Sequence, residues 1–415
     1  MNLIYRHYQE GDDHQLADLF NNAFHVLIPK TYKGWSWKYT EKPSFDPKSL
    51  QICEDEEKHK IVGFIASEVD EFILKGKKIK CGRINDVATD PGYQRNGIAG
   101  TLLEMAFSYF DEKKIQYAFL SADPKDHPRK KLYMPNGFSD LLKIAVKVKI
   151  LDWWQLLTKE AKILLPFLPF VYLSKALVNG LRYFNPKRFG LKKARKKLEP
   201  YLNTNSPSKN QAINPSKNKD PKKLPEKVQR ELQQYFRAYD QVQEEYLEFL
   251  EVRSRENWHW RRIDVPFEDY LGSFVHLKNE KGNIIGGCSF SCHTTKIKLL
   301  KTKVEARIGL IHELFMNWEE IKKLSHRLKL KKNEILKLFM EKVADAAKKR
   351  EISVLIHMYD PLNEITSNCL DAGNYVPIPG GAWMIKSYKR EGMVQFDSKG
   401  DRPVFIPTYD TIGYP

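Results

Sequence analysis

An internal repeat constrains the fold of this chain more than any other feature of its sequence. Three motifs of the first half recur in the second half at one offset of 223 residues. The pairs are Trp35-Ser36-Trp37-Lys38 with Trp258-His259-Trp260-Arg261, Pro43 with Pro266, and Ile61-Val62-Gly63 with Ile284-Ile285-Gly286. Arg83-Ile84 also recurs, as Arg307-Ile308, one residue out of step. Self-similarity at a fixed offset is typical of duplicated units, so we expect two copies of one fold.

The first copy has the pattern of an α/β unit. Segments with strand character alternate with segments whose apolar residues have helical spacing. The predicted strands are 3–8, 60–67, 84–89, 116–121 and 144–151, and the predicted helices are 12–24 and 98–110. This alternation predicts the α/β (α+β) fold class, and a length of 415 residues leaves room for two or three domains.

The basic character of the chain is concentrated in one segment. The formal net charge is +17, and residues 182–230 hold 15 Lys and Arg against 3 Asp and Glu, which is 12 of those 17 charges. Asn, Ser, Pro and Lys dominate residues 203–223, a composition typical of a flexible linker. The predicted domains are a first copy at 1–150, a basic, partly helical insertion and linker at 151–226, a second copy at 227–390 and a C-terminal tail at 391–415.

The insertion at 151–226 is the segment most suited to peripheral contacts. Its aromatic stretch, 153–172, fits an interfacial membrane helix or a helical hairpin packed on the two domains, and Pro166 and Pro169 favour the hairpin. The basic run 192–197 suits anionic lipid, a polyanion or RNA, although such runs are most often solvated helix faces. We expect peripheral contact with an anionic membrane or a polyanion through 182–230, and no specific nucleic acid.

Composition also limits the compartment and the kinds of site. The five cysteines are scattered without a Cys-x-x-Cys spacing, so reduced core thiols are favoured over a metal site. Residues 1–6 lack the apolar region of a signal peptide, and the longest uncharged apolar run, 163–174, is too short to span a bilayer. We expect a cytoplasmic protein without a bound metal, which can lie peripherally on the inner face of the membrane.

A strand, a tight turn and a helix succeed one another between Asn85 and Phe110. Asp90-Pro91-Gly92 marks the turn, and helical spacing begins soon after it. Backbone amides at a helix start have no intrahelical acceptor and carry partial positive charge, so they suit a pyrophosphate. In the loop between turn and helix, Gly97 and Ala99 leave room for such a group, while Gln94 and Arg95 add donors. The pattern is neither a dinucleotide fingerprint nor a P-loop.

Two motifs together resemble the GCN5-related N-acetyltransferase (GNAT) superfamily. Gln94, Gly97 and Ala99 match the family's Gln/Arg-x-x-Gly-x-Gly/Ala loop. After the next strand, Leu132-Tyr133-Met134-Pro135-Asn136-Gly137-Phe138 matches the family's aromatic/aliphatic-Tyr-x-x-x-Gly-Phe block. The resemblance covers residues 1–150 and implies an acetyl-CoA-dependent N-acetyltransferase. With the repeat, it implies two GNAT-like mixed-sheet domains joined by the basic insertion.

The resemblance also assigns the contacts with acetyl-CoA. The backbone of Val87, Ala88 and Thr89 would pair with the pantetheine arm, and the amide of Val87 would be the oxyanion donor. The pyrophosphate would be held by the amides of the loop and the helix start. These residues are Gln94, Arg95, Asn96, Gly97, Ile98, Ala99 and Gly100. The sequence departs from the family at Asp126 and Arg129, where many members have Asn and Ala, so the contacts with the pantetheine and thiol remain open.

Acyl transfer from a thioester to an amine needs a base, an oxyanion donor and an acid for the leaving thiolate. Tyr133 matches the tyrosine that acts as the acid in the family, and the alternative is a tyrosine that only packs under the pantetheine. Asp86, in the strand before the loop, is a candidate base, and it is equally compatible with a structural carboxylate. His127 is a further candidate because a neutral imidazole suits proton transfer.

The second copy departs from both motifs. After Ile308 the chain continues through Leu310 to Trp318 and Glu319-Glu320 without the Gln/Arg-x-x-Gly loop. Cys369, Gly373 and Asn374 take the places of Tyr133, Gly137 and Phe138. We therefore predict a degenerate GNAT-like domain that does not bind acetyl-CoA and instead completes the substrate cleft. Cys369 is predicted to be a buried structural thiol in preference to a nucleophile.

Three functions are compatible with these features. An acetyl-CoA-dependent N-acetyltransferase acting on a small primary amine or an amino sugar accounts best for the intact loop. A FemABX-like aminoacyl transferase that uses aminoacyl-tRNA would account for the basic segment, but the intact loop argues against it. A non-catalytic acyl-CoA-binding module is the third. The acceptor and the length of the acyl chain are not determined, because a fold does not fix its substrate.

Overall fold

Two mixed β-sheets flanked by helices make up the protein. The computed structural model describes residues 2–24, 30–122, 127–152, 186–205, 226–246, 249–251, 273–299, 302–359, 363–378, 380 and 382–388. The strands are β1 (Leu3–His7), β2 (Leu50–Asp55), β3 (Lys60–Leu74), β4 (Lys77–Thr89), β5 (Tyr117–Ala122), β6 (Ser139–Lys143), β7 (Ala145–Ile150), β8 (Leu202–Asn205), β9 (Phe249–Glu251), β10 (Ser273–Lys278), β11 (Ile284–Leu299), β12 (Thr302–Met316), β13 (Val354–Tyr359), β14 (Val376–Ile378) and β15 (Ala382–Ser387).

The helices connect these strands and cover the sheets. They are α1 (Asp13–Ala23), α2 (Tyr32–Lys38), α3 (Ile98–Glu112), α4 (Pro186–Leu198), α5 (Glu226–Tyr246), α6 (Trp318–Leu328), α7 (Lys332–Lys349) and α8 (Glu364–Ala372). The mixed α/β class predicted from the alternation is confirmed. The predicted strand at 60–67 is longer than expected, because β3 and β4 extend together as a hairpin beyond the apolar stretch that the pattern detects.

The two sheets have the same order of pairing. The first runs β1-β2-β3-β4-β5-β15-β6, with β9 paired to β3, and the second runs β8-β10-β11-β12-β13-β7-β14. In each sheet a long antiparallel hairpin, β3–β4 or β11–β12, is followed by one parallel pair, β4–β5 or β12–β13. The architecture therefore contains two copies of one unit, as the repeat predicts.

Each copy contributes one strand to the sheet of the other copy. β7 comes from the first half of the chain and lies in the second sheet between β13 and β14. β15 comes from the second half and lies in the first sheet between β5 and β6. Residues 145–150 therefore pair outside the copy to which their sequence position assigns them, and neither sheet is complete without a strand from the other half.

Helices cover both faces of the first sheet. α1 and α2 bury one face, where Leu16, Phe20 and Trp35 pack against Phe64. α3 buries the other face through Leu102, Leu103 and Phe110. The apolar residues of α1 and α3 fall on single faces of their helices, which is why the helical spacing could be recognised in the sequence. In the second sheet, α5 covers one face, and α4, α6 and α7 cover the other.

The repeated Ile-hydrophobic-Gly motif has a packing reason in both copies. A Cβ added at Gly63 would come within 2.6 Å of Ile98 in α3, and one added at Gly286 would come within 2.3 Å of the Met316 sulfur. Only glycine permits such approaches. The repeated residues 258–261 and 266 lie outside the described residues.

Only part of the predicted insertion is described. Residues 153–185 and 206–225, which hold the aromatic stretch and most of the linker, lie outside the described residues, as does the predicted tail. The basic run 192–197 lies in α4, where Ala194 and Leu198 are buried and Lys192, Lys193 and Lys196 are exposed. Within the described ranges, no helix is long and apolar enough to cross a membrane.

Candidate functional site

The start of α3 is a cluster of backbone amides without a side-chain cap, and it lies just after the end of β4, a central strand of the first sheet. Gly97 is the N-cap residue, with a left-handed φ of 76°, and no side chain caps the helix. Arg95 is also left-handed, with φ 68°. The amides of Gly100 and Thr101 donate to the Gly97 carbonyl at 3.0 and 3.2 Å, so the amides before them are the ones left for an anion. A Cβ at Gly100 would meet no heavy atom within 4 Å, which leaves space above the helix start.

Polar contacts fix the loop that leads to this helix. Asp90 accepts from the Gly92 amide at 2.8 Å and from Lys60 at 2.7 Å. The Tyr93 hydroxyl donates to Asp55 at 2.6 Å, and the Asn96 side chain donates to the Tyr93 carbonyl at 3.1 Å. Gln94, Arg95, Asn96 and Gly97 are exposed beyond these anchors. The loop is therefore held from beneath, while its exposed side faces solvent.

β4 and β5 separate next to this loop. Their parallel pairing runs from Cys81 with Tyr117 to Ile84 with Leu120 and then stops, although β4 continues to Thr89. A bulge lies at the same level, because β3 pairs through Ile65 with Val87 and then through Ser67 with Ile84. The backbone of Val87, Ala88 and Thr89 thus continues beyond the last pair of β4 with β5.

Tyr133 lies on the α3 side of the first sheet. It ends the helical turn Arg129–Tyr133, is buried, and packs edge-on against Phe138 with ring centroids 6.2 Å apart. Val87 and Ile98 belong to the same cluster of packed side chains. The predicted acid, the predicted oxyanion donor and the start of α3 thus belong to one packed cluster, although up to 46 positions separate them in the sequence.

Asp86 lies on the opposite face of the sheet, in a buried cluster of polar groups. Its Oδ2 accepts from the ammonium of Lys30 at 3.1 Å, from that of Lys38 at 3.0 Å, and from the Tyr39 hydroxyl. Burial alone would raise the pKa of Asp86, but the two lysines outweigh it and lower the pKa to about 2. Asp86 is therefore an anion held from three directions, and it faces α1 and α2 while Tyr133 faces α3.

The comparisons with known proteins bear on this geometry. A family profile described as an acetyltransferase (GNAT) domain matches residues 4–133. Residues 4–133 are a GNAT domain. No curated protein sequence gives a match. The matched range includes the loop and Tyr133.

The whole chain is similar in fold to N-myristoyltransferase of Saccharomyces cerevisiae. One crystal structure of that enzyme, with bound myristoyl-CoA, has a TM-score of 0.60 at 12% identity and is matched over 94% of this chain and 83% of its own. Another, with bound myristoyl-CoA and inhibitors, has a TM-score of 0.58 at 12% identity, over 99% of this chain and 86% of its own. At this identity the likeness shows a shared two-lobe fold, so the second copy belongs to the same architecture as the GNAT domain.

Strand register and hydrogen bonds show which residues of the second copy are equivalent to residues of the GNAT domain. The last parallel pair is Ile84 with Leu120 in the first sheet and Ile311 with His357 in the second. The sequence pairing of Arg83 with Arg307 is therefore wrong by three positions, because the β11–β12 hairpin is longer than β3–β4. In the same register Glu313 is the counterpart of Asp86, and both lie beside the bulge of their hairpin.

The counterpart of Tyr133 is a leucine. Phe138 N donates to the Tyr133 carbonyl in the GNAT domain, and Tyr375 N donates in the same way to the Leu370 carbonyl. Gly137 and Asn374, which precede the two donors, both have positive φ. The sequence alignment of Cys369 with Tyr133 is thus wrong by one residue, because Asn374 takes the left-handed conformation that the alignment gave to Gly373. Cys369 is fully buried, and burial raises the pKa of its thiol to about 12.

The other residues singled out in the sequence are His127, Arg129 and the cysteines. His127 is exposed at the start of the turn that leads to Tyr133, and Arg129 pairs with Asp140. All five cysteines are buried free thiols. In the described ranges, no group of His, Cys, Asp and Glu could hold a metal ion.

Sequence reasoning missed Lys30 and Lys38. Both are buried against Asp86, and the Lys30 ammonium lies 3.9 Å from the centre of the Phe20 ring. Lys38 belongs to the Trp-x-Trp-Lys motif of the repeat, so its recurrence as Arg261 was a signal for it. Lys30 has no such signal, because nothing in the sequence around it requires burial.

Proposed function

We propose that the protein is an N-acyltransferase that moves an acyl group from acyl-CoA to a primary amine by direct attack. The observation that carries the proposal is the uncapped start of α3, at Gly97 and Ile98, beside the opening between β4 and β5. Anions bind at helix starts because free amides and the helix dipole both favour negative charge. The amides from Gln94 to Ala99 would hold the pyrophosphate, whereas the amide of Gly100, also predicted as a donor, is already bonded to the Gly97 carbonyl. The backbone from Val87 to Thr89 would border the pantetheine arm.

The chemistry uses the two sides of this opening. The amine nitrogen attacks the thioester carbonyl, the carbonyl oxygen becomes an oxyanion, and the carbon–sulfur bond breaks. The Val87 amide is suited to the oxyanion. Tyr133, on the α3 side, would give its proton to the leaving thiolate. Asp86, on the α1 side, is the candidate acceptor for the proton of the amine, and its pKa of about 2 makes it a weak base that suits an amine arriving in its neutral form. Acid and base then act from opposite faces of the sheet, on either side of the thioester.

The donor is proposed to be acetyl-CoA, as the two GNAT motifs suggest. The similarity in fold to an enzyme crystallised with myristoyl-CoA favours a second candidate, a donor with a long acyl chain. The proposed acceptor is a small amine or an amino sugar. The second copy, which lacks the loop, would supply part of the acceptor cleft.

Thermal shift and turnover together test the proposal. We expect acyl-CoA to raise the melting temperature of the wild type, with acetyl-CoA and myristoyl-CoA compared side by side. A free-thiol assay with a panel of amines should then detect release of coenzyme A. Tyr133→Phe should lower kcat about 10- to 100-fold without loss of acyl-CoA binding. Stabilisation without turnover on any amine would favour the non-catalytic module, and stabilisation only by aminoacyl-tRNA would favour the aminoacyl transferase.

A further inference from the structure

Helix α4 holds seven Lys and Arg residues and no Asp or Glu. It packs on the second copy through Ala194 and Leu198, which are buried in the same core as α7. Lys192, Lys193 and Lys196 are exposed, and a turn of about 100° per residue places them on the side of the helix away from those two residues. We call these three lysines the basic face.

The basic face has no carboxylate partner in the part of the chain that the structure describes. Its neighbours in α4 differ, because Arg195 pairs with Asp345 of α7 at 2.9 Å and Lys197 donates to the Leu328 carbonyl at 2.8 Å. Two lysines of the basic face lie one turn apart, where like charges repel each other. These charges therefore bring repulsion to α4 without an ion pair, so the packing of the helix does not account for them.

The end of α7 lies beside the basic face and is also basic. The ion pair that follows along the chain, Glu199 with Lys342 at 2.9 Å, lies one turn earlier in α7 than the first pair, so α4 and α7 run antiparallel. One turn before the first pair, Lys192 is therefore level with the end of α7, where Lys348 and Lys349 are exposed. Two further ammonium groups thus extend the positive charge of the basic face.

The equivalent helix of the first copy has the opposite charge. α3 precedes the parallel strand β5 in the first sheet, as α7 precedes the parallel strand β13 in the second. α7 holds five Lys against three Asp and Glu, a net charge of +2, whereas α3 holds three Asp and Glu and no Lys or Arg, a net charge of −3. The shared fold therefore does not require positive charge at this position.

The chemistry of the basic face fits an anionic membrane better than a nucleic acid. A lysine ammonium is a point charge that needs no fixed partner geometry, which suits mobile lipid headgroups. Binding to single-stranded nucleic acid uses aromatic side chains on which bases stack, and residues 192–198 contain none. The sequence before α4, at 153–172, is rich in Trp, Phe and Tyr, and Trp and Tyr are enriched at membrane interfaces. That stretch lies outside the described residues and is no part of the basic face.

We propose that the basic face of α4, with the end of α7 beside it, holds the second copy against a bilayer that contains anionic phospholipid. The attraction is electrostatic, so it falls off within a Debye length of the lipid surface and weakens as salt is added. This surface is separate from the start of α3, and it does not depend on the proposed function.

Sedimentation of the full chain with lipid vesicles tests the proposal. The wild type should bind vesicles of phosphatidylcholine mixed with phosphatidylserine, and it should not bind vesicles of phosphatidylcholine alone. The triple variant Lys192→Gln, Lys193→Gln, Lys196→Gln should bind the mixed vesicles about 100-fold more weakly, because each lysine near an anionic surface contributes a factor of roughly five. The binding of the wild type should also decrease as salt is added.

A matched control removes the same charge from another surface. Lys77→Gln, Lys78→Gln, Lys80→Gln takes three exposed lysines from β4, and it should bind the mixed vesicles within about twofold of the wild type, since distant charges are screened. Both triple variants should keep the melting temperature of the wild type, because all six lysines are exposed.

Three results would each overturn the proposal: equal loss of binding in the two triple variants, equal binding to both kinds of vesicle, or no binding to the mixed vesicles at low salt. Fluorescence anisotropy with single-stranded RNA is the remaining comparison. Binding to RNA that is tighter than binding to the mixed vesicles, and that is lost in the α4 variant, would assign the basic face to a nucleic acid. None of these measurements uses acyl-CoA, so a failure of the proposed acyl transfer would leave their outcome unchanged.

Discussion

The two copies share a bulged hairpin and differ in the segment after it. After β4 the GNAT domain makes a short turn and an exposed loop, and then begins α3 at Ile98 without a side-chain cap. After β12 the second copy begins α6 at once, with the Asn317 side chain accepting from the Glu320 amide at 3.0 Å. Asp90 and Asn317 are equivalent, because each donates its amide to the same position in the first strand of its hairpin, Val62 in β3 or Ile285 in β11. The copies therefore diverge from this residue onward.

The counterpart of α3 is α7, and its start is closed. Ile115 N bonds to the Phe110 carbonyl at the end of α3, and Ile352 N bonds in the same way to the Ala347 carbonyl at the end of α7. At the start of α7, the Glu334 carboxylate accepts from the Lys331 amide at 2.7 Å. A carboxylate in the first turn satisfies the helix dipole and repels a phosphate. One copy thus leaves its helix start without a side-chain cap, while the other closes the equivalent helix start with a carboxylate.

The largest effect expected is loss of acyl-CoA binding in Gly97→Glu. A carboxylate at the start of α3 would repel the pyrophosphate, and we expect binding at least about 100-fold weaker by calorimetry, which is about 2.7 kcal/mol. Gly282→Glu is the matched control, because Gly282 is also left-handed, with φ 79° against 76°, and open around its Cβ, but belongs to the second copy. Both variants should lose about 1 kcal/mol of stability from strain. Equal binding by the two variants would mean that the phosphate loop is elsewhere.

A smaller effect is expected from substitutions at the two acidic residues beside the bulges, Asp86 and Glu313, and it should differ between them. Asp86→Asn should lower kcat/KM about 100-fold if the carboxylate takes the proton of the amine. Glu313→Gln changes its counterpart, which is fully buried and bonded to Ser289, and it should leave kcat/KM unchanged. Both should reduce the free energy of unfolding by roughly 1–3 kcal/mol, because each leaves buried polar partners less well satisfied. Activity lost equally in both variants would contradict the assignment of catalysis to the first copy.

The smallest effect concerns the closed helix start. Glu334→Gln should lower the free energy of unfolding by about 0.5–1 kcal/mol in denaturant titrations, since it removes a charged group from the first turn of α7. It should not create acyl-CoA binding, because α6 occupies the place of the loop. If acyl-CoA stabilised a double variant with Gly97→Glu, the second copy would retain a usable site and the contrast between the copies would be wrong.

Much of the first domain could be predicted from local patterns. The Gln94–Ala99 loop, its turn and α3 were predicted correctly because glycine, turn residues and helical spacing act over a few residues. A second local motif singled out Tyr133, whose role as the acid stays a prediction. The register of the second copy was not predicted, because the length of the strands in a hairpin and the position of one left-handed residue, Asn374, shift an alignment without leaving a pattern in the sequence.

The cluster around Asp86 could not have been predicted in full. The spacing placed Asp86 in a strand next to the loop and left its role open between a base and a structural carboxylate. The ion pairs of the Asp86 carboxylate are made with Lys30 and Lys38, which lie 56 and 48 positions away in the sequence. Lysines are usually solvated, so their burial is a property of the packed α1 and α2 and not of their neighbours in the chain.

The sequence by itself determined that there are two copies and that only the first carries the Gln-x-x-Gly-x-Ala loop of the GNAT motif. It did so because a repeat and a glycine-rich helix start are local and periodic. Tertiary structure alone decided the exchange of β7 and β15, the equivalence of Asp86 with Glu313, and the burial of Lys30 beside Asp86. These depend on strand pairing and burial between distant segments, where desolvation, which no local pattern encodes, sets the ionisation of each group.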